Sequence, residues 1–494
     1  MPSAVGVHRY SLTPFRWIAR CTLAAAVGLL LLIPSVASAS TDTAFAISGR
    51  GWGHGIGMSQ WGAYGLAKHG SDYKDILRHY YTGVAFAKLD NPTIRVQLRN
   101  SLAAVRITST KPYAVTVGNR RYEFPAGVTA TTTVAGEKYR VSTGDWTRDF
   151  SSPVTFMPGD DPLKLITATD LGTTGGFRGT IQIVRSGQTL AMINHVPLES
   201  YLRGVVPLEV SPDWPGETLK AQVCAARSYA ERARRSSGST WDVYCDVRSQ
   251  VYGGVSREDP RTDAAVAATI GVVPTYKGEP IQAFYFSCSG GETENIEMAW
   301  ETIAQPYLKS VEDPYDAYAP LHEWGPLRRT RTQLTTPLGT LVKGTLQAIY
   351  PVEYGMSPRI VKAAIIGSSG TTYIHGSALR MKLGLNSAWA VFTSMSIAPA
   401  AKDATQVRVG STVKLTGRIY PALAAGTTVR LMYKSEGTWR SKRVSTIRKS
   451  RGLSEGYSAR YSLYTVAVTP ETTTRYYFMS GTAKSPTTTI TVTE

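Results

Sequence analysis

The stretch Gly49–Gly65, GRGWGHGIGMSQWGAYG, places glycine at 51, 53, 55 and 57, every second residue. Successive residues of an extended chain face opposite ways. As a strand, this segment would show bare backbone on one face and Trp52, His54, Ile56 and Met58 on the other. Glycine weakens a strand and marks places where a ligand or another backbone comes close. A flexible linker is the plain alternative, but interleaved Trp, His and Met are poor linker composition. The pattern therefore points to a binding site or a tight packing face.

The amino-terminal residues set the compartment. Arg9, Arg16 and Arg20 precede an apolar run, Thr22–Ile33, followed by Ala37-Ser38-Ala39. That order is a basic region, an apolar segment too short to span a bilayer, and a cleavage signal. Residues 1–39 are thus expected to be a secretory signal peptide, with a retained anchor as the alternative. Cys21 stands before the apolar run, which argues against a lipoprotein. The mature chain is expected to be secreted, extracellular or wall-associated.

Removing residues 1–39 takes three arginines and no acids, so the net charge falls from +18 to +15. Inside a cell such a charge would suggest nucleic acid first; outside, the anionic partners are wall polymers and lipid head groups, and no nucleic-acid partner is expected. Residues 399–494 hold 15 Lys/Arg against 5 Asp/Glu, so most of the excess lies at the carboxyl end. The mature chain keeps Cys224, Cys245 and Cys288, an odd number for an oxidising compartment. One disulfide and one buried thiol is the simplest arrangement. Cys224 falls in a helical pattern, LKAQVCAARSYAERA, so Cys245 with Cys288 is the expected pair. No CxxC or HxxxH spacing supports a zinc site, and no metal or cofactor is expected.

Along the chain, helices are expected from Ser59 to Gly70, over Tyr73–Tyr81, over Leu198–Val206 and over Pro215–Arg235, with a short one over Asp263–Ile270. Residues 92–195 alternate apolar with polar and read as antiparallel β. From 396 the composition shifts to about seven short alternating runs between Gly, Pro and Ser turns. The expected fold is α+β: a strand-rich catalytic region with a helical cleft segment at 40–395, and an all-β, immunoglobulin-like sandwich at 396–494.

The best place for acid chemistry is YLRGVVPLEVSPDWPGETLKAQVCAARSYA. Glu209 follows the apolar run Gly204–Leu208 and stands among Val205, Val206, Leu208 and Val210. Burial there would raise its pKa, the condition for a protonated general acid at neutral pH; a solvated loop glutamate is the alternative. Lys220 and Arg227 are two helical turns apart and share a face, either to meet an anionic ligand or as ordinary exposed charges. A nucleophilic triad finds no G-x-S-x-G elbow, and no G-x-G-x-x-G register fits across Gly51–Gly57.

GRGWGHGIGMSQWGAYGLAKHG with YKDILRHYYTGV, and VPLESYLRGVVPLEVSPDWPGETLKAQVCAARSYA with SQVYGG, resemble the stage II sporulation protein D / LytB family. The resemblance covers roughly residues 45–395 and leaves out the last hundred residues. It implies peptidoglycan chemistry. The sporulation members are similar to lytic transglycosylases that cut between N-acetylmuramic acid and N-acetylglucosamine in peptide-stripped glycan strands. By that resemblance Glu209 is the catalytic acid/base. Lys220 and Arg227, with His54, Met58, Ser59 and Gln60 of the glycine-rich block, are the substrate-binding residues, and the bare glycine face would let a sugar ring approach. Two departures stand out: the glycine-rich block here precedes the glutamate block, and the positions where some members bind zinc are Arg248 and Ser249.

LytB-like members imply a rival, a non-catalytic amidase enhancer that binds wall and stimulates a partner hydrolase. A third reading, a structural surface adhesin, draws only on the carboxyl-terminal β-module. The expected partners are glycan strands, anionic wall polymers and, for the rival, an amidase.

Overall fold

A computed structural model describes residues 44–235, 238–401, 404–435 and 437–494. The expected signal peptide lies outside the described residues. Among those residues no helix is long and apolar enough to cross a membrane.

The architecture is mixed and strand-rich, with several sheets and short helices. Helix starts follow the caps in the sequence. The Ser59 hydroxyl accepts the Gly62 N–H at the head of α1 (Gln60–Lys68), and the Asp72 carboxylate accepts two N–H groups at the head of α2 (Tyr73–Tyr80). Residues 93–197 form two antiparallel sheets as expected, one containing Thr93–Leu102 and Thr189–Pro197, the other Ala104–Thr108 and Ala130–Ala135. Two helices follow, α3 (Leu198–Glu209) and α4 (Gly216–Ala233). The first runs three residues past Val206, through Pro207, and ends where the Val210 N–H meets the Val206 carbonyl. Helix α4 is buried on most sides through its small residues Ala221, Cys224, Ala225 and Ala226, so it acts as a core helix. Then come α5 (Pro260–Ala268), α6 (Ile296–Trp300), α7 (Arg331–Leu338) and α8 (Gly376–Leu383).

The glycine-rich block is not the flat strand that its alternation suggests. A strand covers Ala44–Arg50, but Gly51, Gly53, Gly55 and Gly57 all have positive φ, from 71° to 125°. The bare face is occupied by the chain itself. A Cβ on Gly55 would lie 2.5 Å from the Arg359 Nε, and one on Gly57 would strike the Phe284 carbonyl. No sugar ring can approach there, because residues 284–289 and Arg359 already fill the space. Of the two readings left open, the tight packing face is the observed one.

Strand Ala44–Arg50 lies between Glu323–Arg329 and Ala390–Met395, antiparallel to both. The sheet runs on across residue 396 through Ser394↔Tyr420 and Met395↔Ile419, so the two expected regions share one strand path. Beyond it, the strand Thr438–Gly452 pairs by its first half with Thr428–Ser435 and by its second with Ser458–Val468. That change of partner wraps the strands round a separate core of Leu415, Leu431, Phe478 and Ile490. The long strand is exposed and basic on both its faces, with Arg440, Lys442, Arg443, Arg448 and Lys449.

The expected disulfide is not formed: Cys224, Cys245 and Cys288 are all free and buried. Cys245 follows a strand beside Thr93–Leu102 and donates its thiol to the Leu98 carbonyl, whereas Cys288 bridges the backbone of Trp52. Each thiol is held on a different element, and burial pushes Cys245 and Cys288 up to about 12.

Candidate active site

Glu209 ends α3. There the helix dipole presents its negative end, which disfavours a carboxylate. The residue keeps part of its surface, but its Oε1 is closed to solvent and has no hydrogen-bond partner. Burial raises its pKa to about 7, against the opposing hydrogen bonds of Tyr285 and the Val251 backbone. The group therefore sits near half-protonation at neutral pH, where an acid can give a proton and take one back.

A chain of buried polar groups holds it. The Tyr285 hydroxyl lies close enough to the Glu209 carboxyl to favour its ionised form and accepts the Gln250 Nε2–H at 2.9 Å, while the Tyr201 hydroxyl donates to the Gln250 Oε1 at 3.3 Å. Tyr285 and Gln250 were missed from sequence. Gln250 and Val251 fall in the quoted SQVYGG block, a usable signal; Tyr285 lies in an apolar run that gave none.

The glycine-rich block and the glutamate block are brought together despite their order in the chain. Met58–Ser59 pairs in parallel with Tyr285–Phe286, and the Gln60 Nε2–H donates to the Glu209 carbonyl at 3.3 Å. Of the residues expected to bind substrate here, Met58, Ser59 and Gln60 are buried. Met58 belongs to the main apolar core; Ser59 caps α1 and donates to Asp316 at 2.9 Å. They assemble the site rather than face a ligand. His54 lies between Phe286 and Trp300, at ring distances of 5.3 and 5.0 Å. Its Nδ1 accepts the Ile56 N–H and its Nε2 faces the Tyr285 carbonyl, an arrangement that requires the neutral ring with its proton on Nε2. Burial and the nearby Arg380 lower its pKa to about 3.

The two cations of α4 part company. Arg227 is fully buried, and its guanidinium grips both oxygens of Glu199 at 2.9 and 2.7 Å and the Val272 carbonyl at 2.9 Å. A ligand cannot reach it, which corrects its assignment to substrate. Lys220 is partly exposed and pairs with Glu217 at 2.6 Å, and Glu217 in turn accepts the Tyr73 N–H. Neither cation is bonded to the Glu209 carboxyl. Arg248 and Ser249 are engaged as well, the first with Asp246 and Asp170, the second accepting the Tyr244 N–H.

On the loop after Glu209, Trp214 packs at 4.7 Å from Trp61 and 5.3 Å from Tyr64, and Tyr318 lies 5.6 Å from Tyr64. Trp61, Tyr64 and Trp214 are half-buried and Tyr318 is exposed, so the rings present open edges and faces beside the glutamate block.

Residues 186–276, which span α3, α4 and the Gln250–Tyr252 triplet, match the SpoIID family model, described as a stage II sporulation protein. The chain is 33% identical over 212 residues to stage II sporulation protein D of Bacillus subtilis (strain 168), covering 40% of this chain and 60% of that protein. The corresponding protein of Bacillus amyloliquefaciens is 32% identical over 216 residues, with the same coverage. A protein named amidase enhancer from Bacillus subtilis (strain 168) is 40% identical over 115 residues, covering 23% of this chain and 15% of that protein. The chain thus spans about 60% of the sporulation relatives. No solved structure matches it.

Proposed function

We propose, from the premise that this chain carries a SpoIID-family region at 186–276, that it is a cell-wall lytic transglycosylase with Glu209 as its single acid/base. The caged carboxyl carries the reading: an acid raised to about 7 by burial, at the end of a helix, with one oxygen unclaimed. An ordinary glycosidase needs a second carboxylate to activate water or form a covalent intermediate. Here one group suffices. Glu209 protonates the bridging oxygen as the C1–O bond breaks. The C6 hydroxyl of the same muramic ring attacks C1, and its proton passes to the Glu209 carboxylate. The products are a free hydroxyl on one strand end and a 1,6-anhydro ring on the other, with Glu209 protonated again. Tyr285 and Gln250 are positioning residues. The rings of Trp61, Tyr64 and Trp214 supply apolar faces of the kind sugars stack on.

The test is the purified full chain on peptide-stripped glycan, with products read by mass. Release of 1,6-anhydromuramic ends, lost in a folded Glu209→Gln variant, is the expected result. An equally active variant would remove Glu209 from the mechanism.

The match to a protein named amidase enhancer favours a second reading, wall binding that stimulates a partner hydrolase. Under that reading the chain alone releases no sugar, and release by an added amidase rises. On either reading the basic strand Thr438–Gly452 holds the protein on anionic wall polymers, and the chain acts outside the cell.

A further inference from the structure

A broad cleft among the described residues does not contain Glu209. It encloses about 1110 Å³ and is walled by Trp52, His54, Phe284, Met298 and Trp300, with Arg380 on its α8 side. Such a volume, mostly apolar with a few convergent polar groups, is the size and character of a small-ligand site. The walls come from four separate parts of the chain, so the cleft is a product of the whole fold.

Of the charged side chains that line it, Arg232, Arg248 and Glu301 are exposed, whereas Arg380 is held against the wall. The side chain is half-buried, and its Nε–H reaches the Asn386 carbonyl at 3.1 Å. Among the described residues no carboxylate pairs with it. Burial lowers its pKa with no opposing acid, and His54 across the cleft is held neutral. The contrast lies close by: Arg359 also lines the cleft, but its guanidinium is taken up by the Glu292 and Ser289 carbonyls, each at 2.6 Å, and by the field of Glu294. A buried cation without a counter-charge carries a desolvation cost that an incoming anion relieves. A guanidinium is also the side chain best shaped to take a carboxylate through two parallel N–H bonds.

We propose that this cleft is a binding site for an organic carboxylate on an apolar body, with Arg380 taking the carboxylate and the Trp300–Phe284–His54 wall taking the body. The inference deepens the cell-wall reading and rests on it for the ligand's source. Two wall groups offer the shared chemistry, a carboxylate on a methyl-bearing carbon: the lactyl group of muramic acid and the terminal D-alanine of a stem peptide.

The test is direct binding to the full chain, followed by tryptophan fluorescence and by calorimetry. The probes are N-acetylmuramic acid, the diacetyl-L-Lys-D-Ala-D-Ala tripeptide, and N-acetylglucosamine, which lacks a carboxylate. One of the first two should bind, identifying the source, while N-acetylglucosamine should not bind at the same concentration. Arg380→Gln should weaken binding about 10- to 100-fold, the scale of a charge-assisted pair, and Arg380→Lys should restore part of it. Should Arg380→Gln fail to fold, Ser377→Glu serves. It adds an acid in the first turn of α8, where acids are favoured, one turn from Arg380, and should abolish binding without removing the guanidinium. Absence of binding by both carboxylates, equal binding of N-acetylglucosamine, or binding indifferent to both substitutions would overturn the proposal. Glu209→Gln should bind as wild type does, so the cleavage mechanism and this site can fail separately.

Discussion

Two regions of this molecule each draw an arginine in from the surface, one fully buried and one half-buried, and they treat the charge differently. In the core beside α4, Arg227 is met by both oxygens of Glu199 and by a main-chain carbonyl. At the cleft, Arg380 has one carbonyl and no acid among the described residues. Glu209 resembles the second case, with an oxygen that nothing among the described residues claims. A charge answered from within is part of the scaffold, and removing either partner strands the other. A polar group left partly unanswered holds free energy that a ligand or a reacting atom can release.

The comparison can be broken at its strongest point by Glu209→Gln. Release of anhydromuramic ends should fall about 10²- to 10⁴-fold, the usual worth of a positioned acid/base, with the unfolding midpoint kept. Arg227→Ala should instead cost about 3–5 kcal/mol in denaturant unfolding by leaving Glu199 buried alone. Adding Glu199→Leu to Arg227→Met should recover much of that, and an effect below about 1 kcal/mol for Arg227→Ala would deny it a scaffold role.

The pH dependence sharpens the contrast. Glu209 binds its proton more tightly in the folded chain, about 7 against an ordinary 4.5. Its contribution is therefore fully present below about pH 4.5 and is lost as pH rises through 7. Relative to Glu209→Gln, the wild type should lose up to about 3 kcal/mol across that window. A flat difference between the two proteins would mean that the carboxyl is solvated. Gly57→Ala should cost about 2 kcal/mol or more by thermal unfolding, since φ is +71° and the Phe284 carbonyl occupies the space. The smallest effect is expected on the outer strand. Replacing Lys442, Arg443, Arg448 and Lys449 by Gln should weaken co-sedimentation with anionic wall polymer and flatten its salt dependence, leaving stability within about 0.5 kcal/mol.

What could be read from the sequence was local. Ser59 and Asp72 announced their helices because capping is settled within three residues. The apolar run before Glu209 pointed to burial but left a solvated loop glutamate open, because the groups that enclose it, Tyr285 and the Val251 backbone, lie far along the chain. The fate of Arg227 could not be read, because it depends on Glu199 one helix earlier and on a carbonyl at 272. Nor could the glycine ladder be resolved between ligand and packing, since its partner segment, residues 284–289, is more than two hundred positions away. The cysteines misled by number alone: three thiols invite a pair, but the fold keeps Cys224 inside α4, Cys245 against the Leu98 carbonyl and Cys288 beside the Trp52 backbone.

The placement of Ala44–Arg50 has a consequence for how the molecule is built. Both its neighbours in the sheet, Glu323–Arg329 and Ala390–Met395, are made long after it. Synthesised from the amino end, this strand has no edge to join until residue 329 exists and lacks its second neighbour until residue 395, and loop closure over those spans must precede any gain from pairing. The glycine ribbon beside it waits equally for residues 284–289 and Arg359. The Glu209 surroundings are thus complete only after Tyr285 has been made, and a chain cut short before it would carry every residue of the glutamate block without the ring that faces its carboxyl.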